Sequence, residues 1–126
     1  MRVLIDSDIW IDFFKNLTYA RDLIEKLSVE GKIASSIITI TELSAGWTRE
    51  EADRRLPRFY KLSDILLVTR EIAEEAGRFI KYYSTKGISL PTIDTIIGAT
   101  SIINDCELAT RNKRDFPMPE IKFYIL

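Results

Sequence analysis

Short apolar runs alternate along this chain with segments of helical period. Val3-Leu4-Ile5 reads as a first strand, and Ile9, Trp10, Phe13 and Phe14 then fall on one face of a short helix. Ala20, Leu23, Ile24 and Leu27 recur at i, i+3, i+4 and i+7 on a second helix, which Gly31 closes. Ile33-Ala34-Ser35 predicts a brief second strand. A helix follows from about Thr39 to Trp47, then a charged one from about Arg49 to Tyr60 that Pro57 is expected to kink. Ile65 to Val68 is a continuous apolar run of strand length, and Thr69 is placed to cap a helix carrying Ile72, Ala73, Ala76, Ile80 and Tyr83 and ending at Gly87. Ser89 and Pro91 stand where an N-cap and a first-turn proline would open the next helix, which runs to about Asn104. Glu107 to Thr110 predicts a fourth strand, and Lys122 to Ile125 a short terminal one after the loop Pro117 to Pro119.

Strands alternating with helices in this way predict an α/β fold with a central, mostly parallel sheet of four or five strands flanked by helices. The 126 residues suit one domain, 1–126, with no repeat, low-complexity segment or linker. Val3 to Ile5 meets Asp6 too soon to form a signal peptide. The long uncharged stretch from Gly87 is interrupted by Pro91, Asp94, two glycines counting Gly87, and several hydroxyl residues, which argues against a membrane span. A soluble, cytoplasmic protein is the expectation.

Composition narrows the chemistry. Histidine is absent and Cys106 is the single cysteine, so a Ser-His-Asp or Cys-His nucleophile pair, a His-rich metal site, a cysteine-built zinc site and an internal disulfide are all excluded. What remains is carboxylate chemistry. The net charge of −1 does not advertise a nucleic-acid binder, although Arg111, Lys113 and Arg114 cluster locally, as do Arg49, Arg54, Arg55 and Arg58.

Asp94 is the only ionisable residue in its isoleucine-rich stretch, and burying an unpaired carboxylate costs several kcal/mol. Asp6 lies at the end of the first strand, Glu42 and Asp94 in predicted early helical turns, and Asp115 after the fourth strand. A parallel sheet gathers its strand C-termini and the following helix N-termini on one edge, where such sheets bind ligands. Four acids gathered there stay ionised only if a cation holds them, and with oxygen donors alone that cation is hard, Mg²⁺ or Mn²⁺. Each acid has a structural explanation too: an Asx turn for Asp6, a capping box Thr39 to Glu42, the helix dipole for Asp94, solvation for Asp115. Asp8 and Asp12 are assigned purely structural roles.

Four segments, Val3-Leu4-Ile5-Asp6-Ser7, Ile40-Thr41-Glu42-Leu43, Asp94-Thr95-Ile96-Ile97-Gly98-Ala99 and Leu108-Ala109-Thr110-Arg111-Asn112-Lys113-Arg114-Asp115-Phe116, stand in an order and at separations that resemble a PIN-domain ribonuclease of the small VapC type. The resemblance spans nearly the whole chain. It implies a PIN-like domain and a Mg²⁺- or Mn²⁺-dependent endoribonuclease that cleaves single-stranded RNA, with Asp6, Glu42, Asp94 and Asp115 as the acidic cluster and Asp6 and Asp94 as principal metal ligands. Thr110 and Ser7 would support the site. Many PIN proteins carry an acid where this chain has Asn112, so Asp115 is taken as the fourth acid and Asn112 as a polar helper. Arg111, Lys113 and Arg114 would contact RNA phosphates, or be solvated loop charges. The same resemblance implies a homodimer, a cognate antitoxin that masks the site and a place in a toxin-antitoxin pair.

Other readings share some of these residues. Asp6-Ser7-Asp8 after an apolar strand also opens haloacid-dehalogenase-type phosphatases, but Trp10 stands where that pattern wants Thr or Val and Glu42 would have no role. A signalling receiver domain gathers acids at strand ends but needs one closing its third strand, where this chain has Val68-Thr69. A PIN module that only binds partners would have no need for all four acids.

Overall fold

The computed structural model describes residues 1–126. Its elements are β1 Val3–Ile5, α1 Ser7–Phe14, α2 Thr18–Val29, β2 Ile33–Ser36, α3 Ile37–Ala45, α4 Arg49–Leu62, β3 Asp64–Leu66, α5 Arg70–Thr85, α6 Thr92–Ile103, β4 Glu107–Ala109 and β5 Lys122–Phe123. The strands form one five-stranded sheet in the order β3-β2-β1-β4-β5, and every pairing is parallel. This is the α/β architecture that the alternation of patterns predicts. No helix is long and apolar enough to cross a membrane.

The strand period divides the core. Val3 and Ile5 pack into one layer with Trp10 and Phe13 of α1, Ile24 and Leu27 of α2 and Phe59 of α4, whereas Leu4 and Leu108 face the other with Phe79 and Tyr83 of α5 and Ile97 of α6. A sheet covered on both faces buries its strands whole, which is why β1 reads as an unbroken apolar run. Of the aromatic residues near the charged helix, Phe59 is fully buried, Trp47 packs edge-on to Phe14 at 5.1 Å, and Tyr60 alone is exposed.

Several boundaries differ from the sequence expectation. Helix α3 starts at Ile37, not near Thr39, because Ser36 caps it by accepting from the Ile38 N–H at 3.1 Å. Thr39 to Glu42 is therefore no capping box. The reciprocal pair occurs at the start of α4, where Thr48 Oγ1 accepts from Glu51 N–H and Glu51 accepts from Thr48 N–H. Helix α4 runs through Pro57 to Leu62 and is anchored by Phe59, whose ring meets Trp10 at 4.8 Å. At α6 it is Pro91, not Ser89, that occupies the N-cap, with its carbonyl accepting from both the N–H and the hydroxyl of Thr95. Strand β3 begins one residue early, and Thr110 and Tyr124-Ile125 fall outside β4 and β5.

Candidate active site

Sheet order reverses at β1, which has β2 on one side and β4 on the other, and ligand crevices in open parallel sheets lie beyond the strand ends at such a point. Asp6 follows β1 there. Its N–H donates to Ala109 O at 3.0 Å, Oδ1 accepts from Ser7 N–H at 2.8 Å as the cap of α1, and Oδ2 accepts from the Thr110 hydroxyl at 2.9 Å. Asp6 is thus both a helix cap and a buried acid, only 4% exposed. Burial first, then the charge of Asp8, pushes its pKa up to about 7, against the lowering effect of Thr110 and Ser7.

The other acids arrive from separate elements. Asp94 is the third residue of α6, and its pKa is raised by burial and then by the charges of Asp115 and Asp8. Asp115, whose charge acts on Asp94, ends a single 3₁₀ turn over Lys113–Asp115. Glu42 sits in the second turn of α3, later than expected; burial raises its pKa, the Ser7 hydroxyl lowers it, and the charges of Asp94 and Asp8 raise it again. Its Oε1 is buried with no hydrogen-bond partner.

Asp8, read from the sequence as structural, also acts electrostatically on the acids around it: its charge reaches Asp6, Glu42 and Asp94 alike. Oδ1 accepts from Ile9 N–H at 2.7 Å, and Oδ2 accepts from Arg111 N–H at 2.9 Å and from the Asn112 amide at 3.3 Å. The available signal was its position two residues after the strand-end acid, in the first turn of the same helix. Asn112 thus donates to Asp8, while the charge of Asp115 acts on Asp94.

The basic residues are unequally free. Arg111 Nε pairs with Asp12 Oδ2 at 3.1 Å and lies 3.9 Å from Asp8 Oδ2. Lys113 Nζ stands 5.4 Å over the Phe123 ring, and Arg114 is exposed with no ion pair. With Thr110, Asn112, Ile125 and Leu126 these three line an open groove of about 590 Å³. Gly98 serves packing: a Cβ there would lie 2.8 Å from Met118 Cε and 3.3 Å from Phe116.

A hard divalent cation suits this donor set. All the side chains are oxygen donors, four of the five acids are pushed toward protonation, and the orphaned Glu42 Oε1 lacks the partner a buried oxygen requires. No three of the acids already close around one point as an inner coordination shell would draw them, so the fit rests on donor chemistry, charge and the unsatisfied oxygen.

The PIN domain family model matches residues 3–122. Ribonuclease VapC19 of Mycobacterium tuberculosis is 35% identical over 116 residues, covering 91% of this chain and 92% of the relative. A chain of a toxin-antitoxin complex from Klebsiella pneumoniae is 27% identical with a TM-score of 0.76, covering 98% of this chain and 99% of that one. A chain of VapBC2 from Rickettsia felis, solved with a DNA fragment from its promoter, has a TM-score of 0.84 at 20% identity over 98% of both chains, a likeness of fold.

Proposed function

The chain belongs to the PIN-domain family, and from that premise we propose that it is a Mg²⁺- or Mn²⁺-dependent endoribonuclease acting on single-stranded RNA, the toxin of a toxin-antitoxin pair. The observation that carries the reading is the gathering of Asp6, Asp8, Glu42, Asp94 and Asp115 at one sheet edge, where burial first and the charge of Asp8 second raise the Asp6 pKa to about 7. The 35% identity to a protein named a ribonuclease supports the activity, and the match to a toxin-antitoxin complex supports the biological role.

Asp6 and Asp94 would hold the cation, with the unpartnered Glu42 Oε1 a further oxygen donor from α3. When bound, such an ion lowers the pKa of a water and offsets charge developing on the phosphate. The protein's own residues set the geometry. Thr110 fixes the orientation of Asp6 through its hydroxyl, and the Ser7 hydroxyl favours the charged form of Glu42. Asp8, with its oxygens occupied by Arg111 N–H and Asn112, ties the loop after β4 to α1. Arg114 and Lys113 border the groove beside Thr110, where a polynucleotide backbone would meet positive charge. Those bonds leave Asp8 poorly placed as the general acid of a phosphatase.

The test is cleavage of single-stranded RNA by the purified protein with Mg²⁺ or Mn²⁺. Cleavage is expected to stop with EDTA and to fall at least about a hundredfold in Asp6→Asn and in Asp94→Asn. RNA cleavage unchanged in both variants would remove the site assignment, and phosphomonoester hydrolysis without RNA cleavage would replace the reading with the phosphatase. The same reading includes a homodimer and a bound antitoxin, checked by light scattering and by co-purification with the product of an adjacent reading frame.

A further inference from the structure

Asp12 is nine-tenths buried and none of the proposed chemistry uses it. It lies one helical turn after Asp8, so α1 presents both carboxylates on one face, toward the loop that follows β4. Asp12 Oδ2 pairs with Arg111 Nε at 3.1 Å and accepts a hydrogen bond from the hydroxyl of Tyr19, the second residue of α2. A carboxylate at 5% exposure is retained only with such partners, and removing one strands the rest. The backbone of the same Arg111 donates to Asp8, the residue before it sets its hydroxyl on Asp6, and the residue after it gives its amide to Asp8. Three residues further on, Asp115 meets Asp94.

We propose that Asp12 is a positioning residue: together with Tyr19 it grips the Arg111 side chain and so holds the 110–115 loop in the placement that sets Thr110 on Asp6 and Asp115 on Asp94. The proposal rests on the metal-dependent nuclease reading above and extends it to residues that touch neither cation nor RNA. It also gives Arg111 a task other than gripping phosphate. Half of its side chain is exposed, but the charged end is committed to Asp12 and Asp8.

The experiment measures Mn²⁺ affinity of the full-length protein by electron paramagnetic resonance of free Mn²⁺, beside kcat and KM for RNA cleavage and a thermal melt. Asp12→Ala and Arg111→Ala cut the grip from opposite ends, so the loop variant serves if the buried one does not fold. Each is expected to weaken Mn²⁺ binding about tenfold, the size of effect seen when groups supporting metal ligands are removed. Asp12→Asn, which keeps an acceptor for Tyr19 and Arg111, should recover most of the loss, and raised Mn²⁺ should restore kcat. Folded Asp12→Ala or Arg111→Ala with wild-type Mn²⁺ affinity overturns the proposal. So does an Arg111→Ala protein with only KM for RNA increased, which would make Arg111 a phosphate contact. A wild-type protein that binds Mn²⁺ yet cleaves no RNA removes the nuclease reading instead, and the grip is then judged on Mn²⁺ affinity alone.

Discussion

Asp6 caps a helix, accepts a hydrogen bond from a residue 104 positions away and carries a carboxyl that burial holds near neutrality. That shift links protonation to stability. The folded chain binds this proton more tightly than the unfolded one, so between 3.8 and about 7 the native state keeps a proton the unfolded state has released. In EDTA the protein is therefore expected to lose stability as pH rises through this window, on the order of 4 kcal/mol if Asp6 acted alone. Added Mg²⁺ or Mn²⁺ should raise the melting temperature most at pH 7 and above. Melts from pH 5 to 8 with and without metal check this, and a flat or rising metal-free profile would contradict it. Asp94 leads to a related outcome. Asp94→Asn replaces a repelled acid with an amide able to donate to Asp115, so it should abolish cleavage while stabilising the metal-free protein at pH 8 by about 1 kcal/mol. Urea unfolding in EDTA measures it.

At the level of elements, α6 and the segment after β4 must approach closely for Asp94 and Asp115 to meet, and Gly98 permits it. A methyl group at that position would press on Met118, Ile121 and Phe116, directly after Asp115. Gly98→Ala should gain helix propensity yet destabilise by about 1–3 kcal/mol through overpacking, and should lower activity more than its melting temperature implies. The cap of α4 provides the contrast. Thr48→Ala removes a capping box of a helix that supplies none of the acids, so a loss of about 1 kcal/mol with cleavage unchanged is expected. Unfolding curves and initial rates on both variants separate the two cases. The strand and helix patterns were legible because burial writes a period of 2 or 3.6 into the sequence, as in Val3 to Ile5 and Ala20 to Leu27. The ends were less so: α4 begins at Arg49 as expected, but α3 begins two residues before the expected Thr39 because Ser36 caps it, which only the backbone path shows.

Across the whole molecule the two core layers share one central sheet, with Val3 and Ile5 committed to one side and Leu4 to the other. Unfolding should accordingly be a single transition, with Trp10 and Trp47 fluorescence coinciding with far-ultraviolet circular dichroism in urea; separated midpoints would divide the chain into more than one cooperative unit. Parallel topology is also the reason Asp6, Glu42, Asp94 and Asp115 can be proposed as a group from sequence. Each follows a strand or opens toward the edge where strands end, and a chain without histidine has only such acids to organise a cation. The sequence by itself therefore determined the α/β class, the absence of histidine donors and the positions from which Asp6, Glu42, Asp94 and Asp115 are proposed as a group. Tertiary structure alone decided that Arg111 and Asn112 donate to Asp8 and that Asp12 pairs with Arg111. Local periodicity reports which residues are buried, but these pairings join atoms about a hundred positions apart in an irregular loop, where no repeat constrains the direction of a side chain.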